Sequence, residues 1–180
     1  MLYCFLAQGF EEVEAIAPID MLRRAKIDVL TVGVGAKTIT GSHGIPFVCD
    51  LTDDQIVLND ALDGVILPGG MPGTLNLENS ATVQKALDFC FANGKLLCAI
   101  CAAPSVLGHK GFLQNKEATA FPGFEADLHG AVLSDKYVVR DGNVITARGA
   151  GVALDFGFAI IAALKDKASA DQIQAAIQCQ

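Results

Sequence analysis

The sequence lacks a surplus of basic residues. It contains 13 lysines and arginines against 20 aspartates and glutamates, which gives a formal net charge of -7 at pH 7. Nucleic acids and anionic membranes both present arrays of negative charge, which such a chain cannot neutralise. No block of like charge marks a binding tail. We therefore expect no membrane partner and no specific nucleic-acid site.

Long hydrophobic runs and targeting signals are also missing. The apolar run FGFAIIAAL at 156–164 is far shorter than a bilayer span. The N-terminal stretch MLYCFLAQGFEE has no basic leading region and soon reaches Glu11 and Glu12. Repeats, low-complexity segments and linkers are absent as well. These absences predict a cytoplasmic protein in which residues 1–180 form a single domain.

What the sequence does contain is typical of a compact globular protein. Hydrophobic residues occupy 52% of its 180 positions, and 18 positions are glycine. A chain of this length buries roughly 70% of its unfolded surface, so it needs no disulfides for stability. Most of its cysteines lie in apolar runs, where cysteine behaves as a small hydrophobic residue. We expect reduced thiols at Cys4, Cys49, Cys90, Cys98, Cys101 and Cys179.

The order of the segments predicts an α/β fold. Short apolar runs typical of strands buried on both faces occur at 2–7, 28–34, 63–70 and 95–100. Helical periodicity, charges that complement the helix dipole, and capping residues predict helices at 11–25, after Ser80 up to Gly94, and around 151–165 and 170–178. The alternation favours a mostly parallel sheet in a three-layer sandwich.

Two further segments belong to the edges of this fold. Residues 45–49 alternate in polarity and predict a peripheral strand. Residues 137–147 carry Asp-Gly between two β-branched runs, which predicts a β-hairpin added to the sheet as an antiparallel edge.

Three motifs follow predicted strands at one end of the sheet. They are GFEEVE after the first strand, PGGMPG after the third and CAICAAP after the fourth. Ligands of open α/β sheets bind beyond the carboxyl ends of the strands. The convergence of the three motifs predicts a functional site there.

Cys101 lies where the fourth strand ends and a helix is predicted to begin at Ala102. A strand–nucleophile–helix turn lifts the side chain out of the sheet. The N–H groups of the helix would favour the thiolate, and Pro104 suits its first turn. The alternative is that Cys101 packs in the core, as Cys98 is expected to do.

Two other interpretations of the cysteines are disfavoured. The CxxC spacing of Cys98 and Cys101 is typical of a redox pair, but Cys98 belongs to the middle of a buried strand. No metal site is predicted, because His43, His109 and His129 do not lie at ligand spacing with any cysteine. PGGMPGT also lacks the patterns of a phosphate loop.

Backbone and acid groups can complete a site around Cys101. The N–H groups of the PGGMPGT turn, which has no side chain at Gly69 or Gly70, can form an oxyanion hole together with that of Ala102, although an ordinary strand-to-helix turn is the alternative. Glu14 shares a helix face with Pro18, so it can point inward while Glu12 stays in water. A buried carboxyl beside sulfur would have a raised pKa and could shuttle a proton. A solvated acid at a helix N-terminus is the other interpretation of Glu14.

At this point the sequence resembles a known family over nearly its whole length. The segments GFEEVEAIAPIDMLRRA, DGVILPGGMPGT, AICAAPSVLG and ARGAGVALDFGFAIIAAL are similar, in order and spacing, to the ThiJ/PfpI superfamily, close to its parkinsonism-associated deglycase branch and bacterial relatives. The resemblance implies a flavodoxin-like sandwich and a homodimer. It also implies cofactor-free glyoxalase or deglycase activity on reactive carbonyls such as methylglyoxal, and protection against oxidative stress.

The resemblance also implies roles for particular residues. Cys101 would be the nucleophilic, readily oxidised cysteine, and Glu14 the buried acid bonded to it. Gly70 and Ala102 would supply backbone N–H groups at the pocket. Asp20 and Arg148 would form an ion pair near the dimer interface.

The sequence departs from the family pattern at two positions, and from its protease-like branch at a third. Phe121 stands where many members have a histidine, and His43 stands where relatives often place an interface arginine. Ala102 replaces the histidine that the protease-like branch carries after its nucleophile, which argues against a cysteine hydrolase or protease. Two hypotheses therefore lead: the carbonyl-handling enzyme, and a non-enzymatic redox sensor or chaperone that acts through oxidation of Cys101.

Overall fold

The computed structural model describes residues 1–179 and is built around a seven-stranded sheet. The strands are β1 (Leu2–Leu6), β2 (Val29–Gly33), β3 (Thr38–Thr40), β4 (Pro46–Val48), β5 (Leu51–Thr52), β6 (Gly64–Leu67), β7 (Leu96–Ile100), β8 (Glu117–Ala118), β9 (Val132–Leu133), β10 (Val138–Asp141) and β11 (Val144–Ala147). The sheet has the order β10-β11-β7-β6-β1-β2-β5. All its pairings are parallel except that of β10 with β11. The predicted hairpin and its antiparallel edge are thus confirmed.

Helices cover both faces of this sheet. They are α1 (Glu12–Arg24), α2 (Gly73–Glu78), α3 (Ala81–Ala92), α4 (Pro104–His109), α5 (Ala153–Leu164) and α6 (Lys167–Ala176). One core cluster joins α1, α5 and α6 to the sheet, and a second joins α3 and α4 to the opposite face. Strands β1, β6 and β7 are buried along their whole length, which is why their sequences are uniformly apolar. The three-layer α/β architecture is confirmed.

Capping residues, glycine and proline mark the ends of several helices. Ser80 caps α3 by accepting a hydrogen bond from the N–H of Val83 at 3.3 Å, and Gly94 follows the helix with φ 63°. Pro104 opens α4, so that helix begins two residues later than the predicted start at Ala102. Residues 101–103 form turns instead. Two small sheets, β3–β4 and β8–β9, lie outside the main one; only β4 was predicted.

The strand order places a topological switch beside β1. The chain runs from β1 outward to β2 and β5, then returns to place β6 on the other side of β1. Loops that leave β1 and β6 therefore diverge above the sheet and open a crevice, which is where ligands of such sheets bind. Within residues 1–179, no helix is both long and apolar enough to cross a membrane.

Candidate active site

Cys101 occupies a strained turn directly after β7. Its φ is 65°, in the left-handed region that residues with a side chain rarely adopt. The turn is fixed on both sides: the Cys101 N–H donates to the Ala147 carbonyl at 2.8 Å, and its carbonyl accepts from the Phe121 N–H at 2.8 Å. Such a conformation costs on the order of 1–3 kcal/mol and persists only where the surroundings enforce it. The sulfur is thereby held above the sheet, partly buried, as the sequence predicted.

A glycine turn after β6 packs directly against this cysteine. A Cβ at Gly69 would lie 2.6 Å from the Cys101 Cβ and 2.7 Å from Glu14 Oε2, so no larger residue fits. Gly70 has φ 89° and, together with Ala102, directs its backbone N–H to the Cys101 sulfur. The predicted backbone donors therefore do meet at the site, and in this structure they hydrogen-bond the sulfur.

Glu14 reaches the same point from the first turn of α1. Glu11 caps that helix by accepting the Glu14 N–H at 2.7 Å, which orients the turn. The Glu14 side chain is 1% exposed and hydrogen-bonds the Cys101 thiol, while the N–H groups of Gly69 (3.0 Å) and Ala150 donate to it. Burial raises its pKa to about 7 in spite of those hydrogen bonds. The inward-pointing acid of the sequence prediction is present.

The Cys101 thiol differs from the sequence-based expectation of a stabilised thiolate. Burial, followed by the charge of Glu14 and its hydrogen bond, raises the pKa of Cys101 to about 12. The N–H groups of Ala102 and Gly70 act in the opposite direction but are outweighed. Burial is the main reason, and helix α4 offers little compensation because it is short and starts three residues beyond Cys101. Above about pH 7 the Cys101–Glu14 pair therefore carries one negative charge and resists a second.

Glu12 does not stay in water, contrary to the expectation. It is 4% exposed and accepts hydrogen bonds from the His43 N–H (2.8 Å) and the Ile45 N–H (3.4 Å). The ring Nδ1 of His43 lies 2.9 Å from its second oxygen. Burial alone would raise the pKa of Glu12, but these hydrogen bonds outweigh it and lower the pKa to about 2. The loop that holds His43 and Ile45 lies some 30 residues further along the chain, so no local sequence pattern indicated that Glu12 is buried.

The residues expected near a subunit interface form no ion pair with one another within residues 1–179. His43 is exposed beside Glu12, and this pairing raises the pKa of the imidazole. Asp20 accepts a hydrogen bond from Arg24 at 2.8 Å. The Arg148 guanidinium lies 5.6 Å from the centre of the Tyr137 ring and 3.9 Å from Asp135 Oδ1. Asp20 and Arg148 thus have other partners within the chain.

A groove of about 480 Å³ opens next to the Cys101–Glu14 pair. Phe121, which is 47% exposed, borders it, and the site of a Gly149 Cβ would be 3.2 Å from the Phe121 ring and 3.8 Å from Glu14 Oε1. The groove is mostly apolar and is lined by Phe121, Pro122, Tyr137 and the segment 148–152. Sequence reasoning did not predict that Tyr137 and Ala150 line this groove. The glycines of the ARGAG segment were the only sign in the sequence that the backbone there packs closely against the site.

A cysteine on a strand-to-turn elbow, hydrogen-bonded to a buried acid at the switch point of a flavodoxin-like sheet, defines an α/β protein with a cysteine–glutamate site. The DJ-1/PfpI family model matches residues 2–163, and the chain belongs to that family.

Individual relatives agree with this assignment. The chain is 36% identical over 171 residues to protein dj-1beta of Drosophila melanogaster, covering 93% of this chain and 91% of the fly protein. It is 34% identical over 146 residues to a deglycase of Pyrococcus horikoshii, covering 79% and 86% of the two chains. The solved structure of oxidized Toxoplasma gondii DJ-1 superposes with a TM-score of 0.94 at 31% identity, covering 99% of this chain and 97% of that one.

Proposed function

We propose that the protein is a cofactor-independent glyoxalase or deglycase-type enzyme that uses Cys101 on small reactive carbonyls such as methylglyoxal, and so protects against carbonyl and oxidative stress. The observation that carries the proposal is the hydrogen-bonded pair of Cys101 and Glu14, in which an acid of pKa about 7 lies against a thiol on a strained elbow. The named activity of the Pyrococcus horikoshii relative supports the same chemistry.

The first step is attack of sulfur on the aldehyde carbon. Because the pKa of Cys101 is raised, the thiol proton passes to the Glu14 carboxylate as the carbon–sulfur bond forms. The aldehyde oxygen takes the electron pair of the broken π bond. Once the sulfur is bonded to carbon, the N–H groups of Gly70 and Ala102 donate to this oxyanion, which takes the proton from Glu14 to give a hemithioacetal and restore the Glu14 carboxylate.

The remaining steps move a proton between adjacent carbons. Glu14, as carboxylate, removes the hydrogen from the former aldehyde carbon, and the resulting enediol is protonated at the neighbouring carbon. The first carbon is thereby oxidised and the second reduced, so no external electron acceptor is needed. The product is a 2-hydroxyacyl thioester of Cys101. Water hydrolyses it to the 2-hydroxy acid, lactate from methylglyoxal, and restores the thiol.

Lactate formation from methylglyoxal tests the proposal. We expect Cys101→Ala to abolish turnover, while Cys98→Ala, which removes a core thiol only three residues away, retains it. Equal rates for wild type and Cys101→Ala would overturn the proposal. Deglycation is separated from simple consumption of free aldehyde by following release of lactate from a preformed adduct after the free methylglyoxal has been removed.

A second candidate function is redox sensing. Cys101 is partly exposed, and a protonated Glu14 can donate a hydrogen bond to a sulfinate oxygen. The similarity to an oxidized DJ-1 structure supports this candidate. Peptide mass spectrometry after peroxide treatment tests it. We expect two added oxygens on Cys101 and none on Cys98, which is 1% exposed. Peroxide protection that survives in a turnover-deficient Glu14 variant would favour sensing over catalysis.

We also propose that the protein functions as a homodimer in the cytoplasm. Val13 and Ile16 on α1 are 51% and 39% exposed, a surface that a second subunit can cover. The buried Arg148 Nε has no hydrogen-bond partner within residues 1–179, which supports an ion pair with Asp20 across the interface. Light scattering tests the assembly: a mass of twice 18.8 kDa is expected, and a monomer at micromolar concentration would contradict it.

A further inference from the structure

Away from Cys101, the fold brings two histidines and two acids together. His109 ends α4, Asp127 ends the 3-10 turn Glu125–Asp127, and His129 follows it. One ligand atom from each of these three residues lies within 4.8 Å of the others. Glu78, at the end of α2, approaches His109 from the other side. None of these residues takes part in the proposed carbonyl chemistry.

The spacing of two of these atoms already suits a metal ion. His109 Nε2 lies 3.4 Å from Asp127 Oδ1. Two ligands of a tetrahedral zinc ion, each about 2.1 Å from the metal, are roughly 3.4 Å apart. The His129 ring lies 5.2 Å from the His109 ring, centre to centre, and is exposed, so a side-chain rotation brings its nitrogen to the third position. Two imidazoles and one carboxylate form a ligand set that zinc accepts.

Glu78 gives His109 the supporting contact that metal-binding histidines usually have. Its Oε1 lies 2.5 Å from His109 Nδ1. A carboxylate that accepts the Nδ1 hydrogen fixes the tautomer of the ring and leaves Nε2 with a lone pair for the metal. That Nε2 is the atom that faces Asp127.

Gly108 fixes the distance between the two segments. A Cβ at this position would lie 2.0 Å from the Asp127 carbonyl oxygen and 2.9 Å from the backbone nitrogen of His129. The chain at 127–129 therefore packs directly on the α4 backbone, next to His109. The cluster is consequently held by main-chain packing as well as by its own side chains.

We propose that His109, Asp127 and His129 bind a divalent zinc ion, with water in the fourth position and Glu78 as the positioning residue behind His109. The site lies eight residues beyond Cys101, on the order of 10 Å along α4 and its preceding turn, so it is separate from the thiol. The sequence analysis predicted no metal site because it examined only histidine–cysteine spacing. This cluster uses a carboxylate instead and forms across 20 residues of chain.

Calorimetric titration of the chelator-treated protein with zinc chloride tests the site. We expect one ion per chain in wild type. His129→Gln changes an exposed side chain and should weaken binding by at least about 100-fold, whereas Glu78→Gln should weaken it about tenfold. His43→Gln is the matched control, because His43 with Glu11 and Glu12 forms a second potential ligand group within residues 1–179, and it should leave affinity unchanged. Equal unfolding temperatures of metal-free wild type and His129→Gln would show that the variant is folded.

A second measurement tests whether a residue outside the proposed ligand set, above all Cys101, binds the zinc instead. Zinc X-ray absorption should show only nitrogen and oxygen neighbours near 2.0–2.2 Å, and Cys101→Ala should bind zinc as wild type does. A sulfur neighbour near 2.3 Å, or loss of binding in Cys101→Ala, would overturn the proposal in favour of the thiol. Absence of stoichiometric binding, or unchanged affinity in His129→Gln, would overturn it as well. Activity of the Cys101–Glu14 pair is independent of all these outcomes.

Discussion

Glu12 and Glu14 lie two residues apart in the first turn of α1, and both side chains are buried, yet their pKa values shift in opposite directions. Glu12 is held as a carboxylate with a pKa of about 2, whereas the pKa of Glu14 rises to about 7. Both accept backbone N–H groups: Glu12 from His43 and Ile45, Glu14 from Gly69 and Ala150. The number of backbone donors therefore does not explain the difference.

The explanation lies in the depth of burial and in the side-chain partner of each acid. Glu12 has an imidazole 2.9 Å away that can carry a positive charge, which stabilises the carboxylate. Glu14 lies deeper in the protein, and burial is the largest cause of its raised pKa. Its hydrogen bond with the Cys101 thiol lowers that pKa but is outweighed, and the charge of Glu11 adds to the rise. One turn of helix thus places a stable carboxylate beside an acid that can change its protonation state near neutral pH.

The largest expected effect comes from removing the ionisable group of each acid in turn. Glu14→Gln preserves shape but cannot exchange a proton, so we expect methylglyoxal turnover to fall by about 10² to 10⁴. Glu12→Gln should retain turnover within a few fold but lose about 1–3 kcal/mol of unfolding free energy, because charged hydrogen bonds are lost. Lactate assays and urea unfolding of both variants measure the two effects. A Glu14→Gln variant with wild-type turnover would show that the two acids are not functionally distinct.

The pH dependence of turnover gives the next effect. Since the carboxylate of Glu14 accepts the thiol proton in the proposed mechanism, kcat/KM should rise with pH and level off above about 7, falling about tenfold per pH unit below it. Glu12, with its pKa of about 2, contributes no step in this range. The limb near pH 7 should persist in Glu12→Gln and disappear in Glu14→Gln. A limb that stays in Glu14→Gln would assign it to another group.

Sequence reasoning reached Glu14 and not Glu12 for a physical reason. Strands buried on both faces must be apolar, so the strands of the sheet and the end of β7 at Cys101 could be predicted from the sequence. Helix periodicity then pointed Glu14 toward Pro18 and the sheet. The burial of Glu12 depends on the loop at 41–45, and the raised pKa of Cys101 depends on how closely Glu14 approaches it. Both are tertiary contacts that leave no periodic mark in the sequence.

Glycines that pack against each acid allow a third test of the comparison. A Cβ at Gly69 would lie 2.7 Å from Glu14 Oε2, and one at Gly41 would lie 2.3 Å from Glu12 Oε1. Overpacking of this kind costs about 1–3 kcal/mol, so both alanine variants should lose stability to chemical denaturation. Only Gly69→Ala should also lose turnover. Gly151→Ala, where a Cβ meets nothing within 4 Å, is the control for overpacking and should match wild type in chemical denaturation.

The smallest effect is expected from His43→Gln, which removes the imidazole but leaves Glu12 its two backbone donors. Pairing with Glu12 raises the pKa of the exposed His43 ring. A raised histidine pKa adds stability that is complete below the unfolded value near 6.5 and is lost as pH rises through the folded value. Glu11, 3.9 Å from the ring, acts in the same direction.

Wild type should therefore unfold at a slightly higher temperature than His43→Gln at pH 6, and the two unfolding temperatures should converge at pH 9. A difference that grows with pH would show that the imidazole acts on Glu12 through its neutral form, and the charge-based contrast with Glu14 would then fail.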